Sequence, residues 1–294
     1  MFKFLVFLFL CLIFLQPERG INGTKEGLLL WYQAVLPAQL PFVMGVQLLL
    51  RMISLDKMSP ILLNFVAGLI AGYPTGSMTT AKLYKEGRIA ESDLTLMAAF
   101  SNMAGPLFVI GTVGTILLEN IWLGYILLMV HWTSAVVLII VSVWREKKRK
   151  RGKIVSKSKR KESKKQILEK RICENQTIGG LLADAAGETA QLMLKIACFI
   201  VMFSVLKQWA GGVIGALLEM SGGIQWLVGQ EIDIKWKLVG CSFLINFSGC
   251  CVILQSLGTV GDVPVSAFGF MCLKIIQGIL AAVIMLVICQ ILIL

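Results

Sequence analysis

Long apolar stretches recur along the chain, separated by short polar interruptions. Gly27–Leu50, Leu94–Leu118, Ile121–Trp144, Ala190–Trp209 and Val265–Leu294 each have about the 20 residues that a helix needs to cross a bilayer. The pattern predicts an all-α polytopic membrane protein. Pro60–Gly72 does not fit it, because only about a dozen residues precede the interruption "GYPTGS", too few to cross. Such a stretch fits a re-entrant hairpin with an irregular tip at membrane depth. Irregular backbone survives there only when protein or a watery cavity surrounds it, since an unpaired peptide group in lipid costs several kcal/mol.

Composition agrees with the pattern. The chain has 294 residues, 57% of them hydrophobic and 15% charged; a soluble domain has roughly 45–50% and about 25%. Mean hydropathy is +0.80. The N-terminal stretch "MFKFLVFLFLCLIFLQPERG" has a basic start and a short apolar core but no small-residue cleavage site. An uncleaved first span followed by a short external loop is expected over 1–27.

The charge changes the picture more. Arg145–Arg171 holds fifteen Lys/Arg against three Glu, so this one loop carries the whole net charge of +11 and the rest of the chain is close to neutral. By the positive-inside rule the loop is cytoplasmic, and it suits contact with anionic lipid headgroups of the bilayer. No aromatic residue interleaves the basic run, so no nucleic-acid partner is expected. With the loop inside, Ile121–Trp144 starts outside, Leu94–Leu118 runs outward, and Pro60–Gly72 starts and ends inside.

The second half echoes the first. "FSNMAGPLFVIGTVG" (100–114) and "FSGCCVILQSLGTVG" (247–261) agree at seven of fifteen positions without a gap. "PAQL" (Pro37–Leu40) and "TAQL" (Thr189–Leu192) recur upstream in the same order. The first copy begins outside and the second inside, so two inverted-topology repeats are expected, with re-entrant hairpins and discontinuous helices. That is the architecture of secondary transporters, whose sites lie where the helices break. The second hairpin falls on Gly211–Gly229, with a Glu-Met-Ser-Gly-Gly tip containing Glu219 and Ser221. An acid at membrane depth is costly and points to function.

The candidate solute-binding residues lie at these interruptions. Tyr73, Thr75 and Ser77 come from the first tip, and Glu219 and Ser221 from the second. Ser101 and Asn102 precede Gly105-Pro106, where proline removes a backbone donor and frees a carbonyl. Asn246 and Ser248 flank the break before Gly249, and Gln255 follows it. Broken-helix N-termini favour anionic groups. Each of these side chains also has a structural reading: Thr75, Ser77, Thr79 and Thr80 as caps or backbone partners of the next helix, Asn and Ser as interhelical bonds of about 0.6–2 kcal/mol, and Gln225 and Gln255 as helix bridges. His131 reads as a packing histidine before a proton carrier. "GYPTGS" lacks the Gly-Lys-Ser/Thr ending of a phosphate loop, and no H-E-x-x-H, G-x-S-x-G or paired-carboxylate pattern occurs. Neither an enzyme nor a metal or cofactor site is expected.

"WYQAVLPAQLPFVMGVQLLL", "GLIAGYPTGSMTTAKLYKEGRI" and "FSNMAGPLFVIGTVG" resemble the YlbJ-type sporulation integral membrane proteins, which carry Gate, or nucleoside-recognition, domains. The resemblance runs from about Leu28 to Leu294. "INFSGCCVILQSLG" is also similar to the broken-helix segment of concentrative nucleoside transporters. The resemblance implies a transporter-like protein at a membrane around the forespore, working among other sporulation membrane proteins. The family is associated with dipicolinate, a small aromatic dianion. The chain departs from the family pattern in having Ser77 where alanine is usual and Met103-Ala104 where small polar residues are usual. No arginine is placed for a dianion, which leaves backbone donors with Lys195 or Lys274.

The expected organisation is a first span and loop (1–27), a Gate-like repeat (28–144), a basic cytoplasmic linker (145–180) and a second Gate-like repeat (181–294). The expected function is transport of a small anionic solute; a cavity lined by Glu219 is compatible with proton coupling, sodium coupling or neither. A nucleoside-type carrier and a non-transporting scaffold or sensor for spore formation are the alternatives.

Overall fold

A computed structural model describes residues 2–52, 58–152 and 177–292, and every regular element there is helical. Five of its helices are long and apolar enough to cross a membrane: Pro17–Leu49, Ile121–Lys148, Ile178–Lys207, Ile234–Val260 and Ala267–Leu292.

The first half runs α1 (Phe2–Leu15), α2 (Pro17–Leu30), a π-helical stretch (Trp31–Val35), α3 (Leu36–Met52), α4 (Pro60–Ala71), α5 (Thr75–Lys85), α6 (Glu91–Ser101), a second π-helical stretch (Phe108–Leu117) and α7 (Ile121–Gly152). The second half runs α8 (Ile178–Lys207), α9 (Gly212–Leu218), α10 (Met220–Val228), α11 (Ile234–Phe247), α12 (Gly249–Val260) and α13 (Ala267–Leu292). The order long helix, paired short helices, interrupted helix, long helix therefore occurs twice.

Local chemistry explains the interruptions. Proline at the first position starts α4, and Gly72, with φ of 71°, ends it in a conformation that side chains rarely adopt. α5 follows after two residues, with Lys82 and Lys85 in its last turn, where cations complement the helix dipole. α9 and α10 are separated by Glu219 alone. The Leu94–Leu118 stretch is broken at the expected interruption: residues 102–105 are non-helical, and the helix resumes at Pro106. α11 and α12 are split at Ser248 and Gly249, both left-handed with φ of 72°.

Packing repeats along with element order. α4 and α5 lie against α6, and α10 lies against α11. α6 packs on α13 of the other half, and α11 packs on α7. α7 and α13 lie side by side, as do α3 and α8.

The N-terminal region differs from expectation. α1 has only 14 residues, and residues 17–27, expected within a short loop, belong to α2. α2 docks on α8 through a Gly-x-x-x-Gly pair: a Cβ on Gly23 would lie 2.6 Å from the Val205 Cα, and one on Gly27 would lie 2.8 Å from the Val201 Cα. Arg145–Gly152 continue α7; the rest of the basic run, to Arg171, lies outside the described residues.

Candidate functional site

The two tips and two breaks come together pairwise. At the first tip, the Tyr73 N–H donates to the Met103 carbonyl at 2.7 Å, tying the hairpin to the break. Beside it the backbones nearly touch, since a Cβ on Gly76 would lie 2.0 Å from the Ser101 carbonyl oxygen. At the second tip, a Cβ on Gly249 would lie 3.0 Å from the Met220 nitrogen. Tyr73 of the first tip and Met220 of the second belong to one buried apolar cluster, with the Tyr73 phenol in electrostatic reach of Glu219 and of Cys251 in the first turn of α12.

Glu219 is 2% exposed. It caps α10, its carboxylate accepting from the Ser221 N–H at 2.8 Å and the Gly222 N–H at 2.5 Å. These are two of the donors that the start of a helix leaves unpaired. The one anion at this helix N-terminus is thus the protein's own side chain. Lys207 lies close by, its Nζ 2.6 Å from where a Gly222 Cβ would be, and it pairs with Glu26 of α2.

A second polar centre lies between the breaks and the long helices. The Lys274 Nζ, on α13, donates to the Asn102 carbonyl at 2.9 Å and to the Gln277 Oε1 at 2.8 Å. The Asn102 Oδ1 accepts from the Ser256 hydroxyl of α12 at 2.6 Å. The Gln277 amide donates to Ser134 of α7 at 3.4 Å, and the Ser134 hydroxyl donates to the Asn246 Oδ1 at 2.6 Å. The Ala104 N–H donates to the His131 Nε2 at 3.0 Å, so the ring hydrogen sits on Nδ1 and donates to the Asn246 Oδ1 at 2.7 Å. One continuous network therefore joins both breaks. Lys274, Asn102, His131, Ser134, Asn246, Ser256 and Gln277 are all fully buried within it.

The ten sequence candidates divide between these centres. Tyr73, Glu219 and Ser221 belong to the tips, and Asn102 and Asn246 to the network. Ser101 and Ser248 lie at the breaks, but their hydroxyls return to their own helices, Ser101 to the Met97 carbonyl at 2.8 Å and Ser248 to the Ile245 carbonyl at 3.4 Å. Thr79 and Thr80 likewise bond the α5 backbone at Thr75 and Gly76. The Thr75 and Ser77 hydroxyls, the Asn102 Nδ2 and the Gln255 Nε2 are buried without a hydrogen-bond partner among the described residues. Gln225 is exposed.

Sequence reading missed Ser134, Ser256 and Gln277 as members of the centre. The available signal was spacing: His131 with Ser134 and Lys274 with Gln277 are both i, i+3 polar pairs, each on one face of an otherwise apolar helix.

The fold and its buried centre define a polytopic helical membrane protein in which paired short helices meet interrupted ones. The chain is similar to the sporulation integral membrane protein YlbJ of Bacillus subtilis (strain 168), 26% identical over 324 residues that cover 94% of this chain and 79% of the relative. That likeness runs along nearly the whole chain and supports its place in the YlbJ-type family, the family its motifs resemble. No family model matches the chain, and no solved structure does.

Proposed function

We propose that the protein carries a small anionic solute, dipicolinate by the family resemblance, across a membrane around the developing spore by alternating access. In this reading the halves 28–144 and 181–294 are Gate-like repeats inverted in the membrane, and the basic segment between them is cytoplasmic. The observation that carries the reading is the meeting of both hairpin tips and both helix breaks in the protein interior, where Thr75, Ser77, Asn102 and Gln255 hold polar atoms without partners. Native interiors pair nearly all buried polar groups; buried polar atoms without partners occur elsewhere too, and these four lie on the elements that form the tips and breaks, where a solute would complete them.

The test is uptake of labelled dipicolinate, with a nucleoside as comparator, into proteoliposomes holding the wild-type chain or Asn102→Leu. Saturable dipicolinate flux that the folded variant loses is the expected result. Nucleoside flux alone would keep the carrier and replace the substrate. Flux of neither solute, under imposed proton and sodium gradients, would favour the scaffold role.

A further inference from the structure

Among the described residues, Lys274 is the only lysine or arginine that is fully buried. Its surroundings are unusual for a cation. The effective cost of burying an ammonium group is several kcal/mol, and proteins normally offset it with a carboxylate. Lys274 has only two neutral oxygens, the Asn102 carbonyl and the Gln277 amide, and no carboxylate pairs with it among the described residues. An ammonium group presents three donors, and the described residues supply acceptors for two of them.

The residue that Lys274 holds is also incomplete. The Asn102 side chain turns its oxygen to Ser256 and leaves its Nδ2 buried and unpaired. An unused ammonium N–H and an unused amide N–H thus come from two adjoining residues, one on each half of the chain. Both are donors, so together they suit a group that only accepts, and a carboxylate is such a group. The other candidate cation, Lys195, is exposed on α8. The α10 N-terminus is already filled by the Glu219 carboxylate.

We propose that Lys274 is the charge-bearing residue of the solute site, and that a carboxylate of the solute binds against its amine and the Asn102 amide at the first helix break. This rests on the carrier reading and assigns it a residue and a ligand chemistry. It also explains why a cation is kept at the break without an acid: a permanent internal partner would compete with the solute. Because Lys274 reaches from α13 to the break after α6, a bound carboxylate touches both halves.

The experiment uses the purified full-length chain in detergent and calorimetric titration with two probes of one shape, pyridine-2,6-dicarboxylate and its neutral diamide. Wild type binds the dicarboxylate more tightly. Lys274→Gln, which keeps a donor for the Asn102 carbonyl, weakens dicarboxylate binding about tenfold or more and diamide binding several-fold less than that. Lys195→Gln changes neither. Asn102→Asp supplies an internal carboxylate and weakens dicarboxylate binding likewise, so it carries the test if Lys274→Gln does not fold. Dicarboxylate affinity retained in either folded variant would overturn the proposal while leaving the carrier intact. Equal loss of both probes in Lys274→Gln would make Lys274 a packing residue and overturn it as well. Wild type binding neither probe would overturn it too, and the flux measurement would then decide separately whether the carrier reading stands.

Discussion

The acid of the hairpin tips and the base of the helix breaks are both buried, yet they are stabilised differently. Glu219 is held by backbone N–H groups two and three residues along its own chain. Lys274 reaches a carbonyl 172 residues away, and its other partner, Gln277, links on to Ser134 of α7. The first arrangement is a helix cap that the Glu-Met-Ser-Gly-Gly sequence can make locally. The second exists only when the halves dock. A local cap makes the tip a rigid unit, whereas a cross-chain network makes the breaks sensitive to how the halves sit together. The proposed carrier would use both: a stiff element that moves and an interface that registers the movement.

Substitutions can break this comparison, and the largest effect is expected at the closest backbone contact. Gly76→Val drives a side chain into the Ser101 carbonyl, 2.0 Å from the new Cβ, where only backbone can yield. The expected loss is about 3 kcal/mol or more, seen as failure to recover monodisperse protein after solubilisation. His131→Leu leaves the Ala104 N–H and one bond to the Asn246 oxygen unmade. At about 1–3 kcal/mol for each group left unpaired, a large drop in melting temperature is expected, together with easier separation of the halves by limited proteolysis in the linker. Glu219→Ala removes only a cap, worth about 0.5–2 kcal/mol, so its melting temperature should fall less than that of His131→Leu. The reverse order would mean that the tip, and not the network, holds the interior together. Glu26→Gln breaks the pair with Lys207, whose side chains are 40% and 19% exposed, and thermal melting should show a loss below about 1 kcal/mol. A larger loss would mean that α2 is an integral part of the second tip.

Much of the framework was legible beforehand. Pro60–Gly72 is too short to cross, and the structure turns it back at Gly72. The "GYPTGS" and Glu219 interruptions mark the two tips, and Gly105-Pro106 and Gly249 mark the two breaks. One element was not legible. α2 was read as a loop because "PERGINGTKEG" is polar; it is helical because its glycines let it approach the α8 backbone and its Glu26 meets Lys207 there.

Hydropathy and the spacing of glycine, proline and charge determined by themselves that the chain is a helical membrane protein with two tips and two breaks, because bilayer thickness and backbone hydrogen bonding allow few other outcomes. Which polar side chains serve the site was decided by tertiary structure alone. A hydroxyl or amide in an apolar span can bond its own helix, a neighbouring helix or a solute with similar free energy. Ser101 and Ser248 took the first course and Asn246 the second. Lys274 was directed to the first break by the packing of α13 on α6, a contact between residues too far apart in sequence for any local pattern to record.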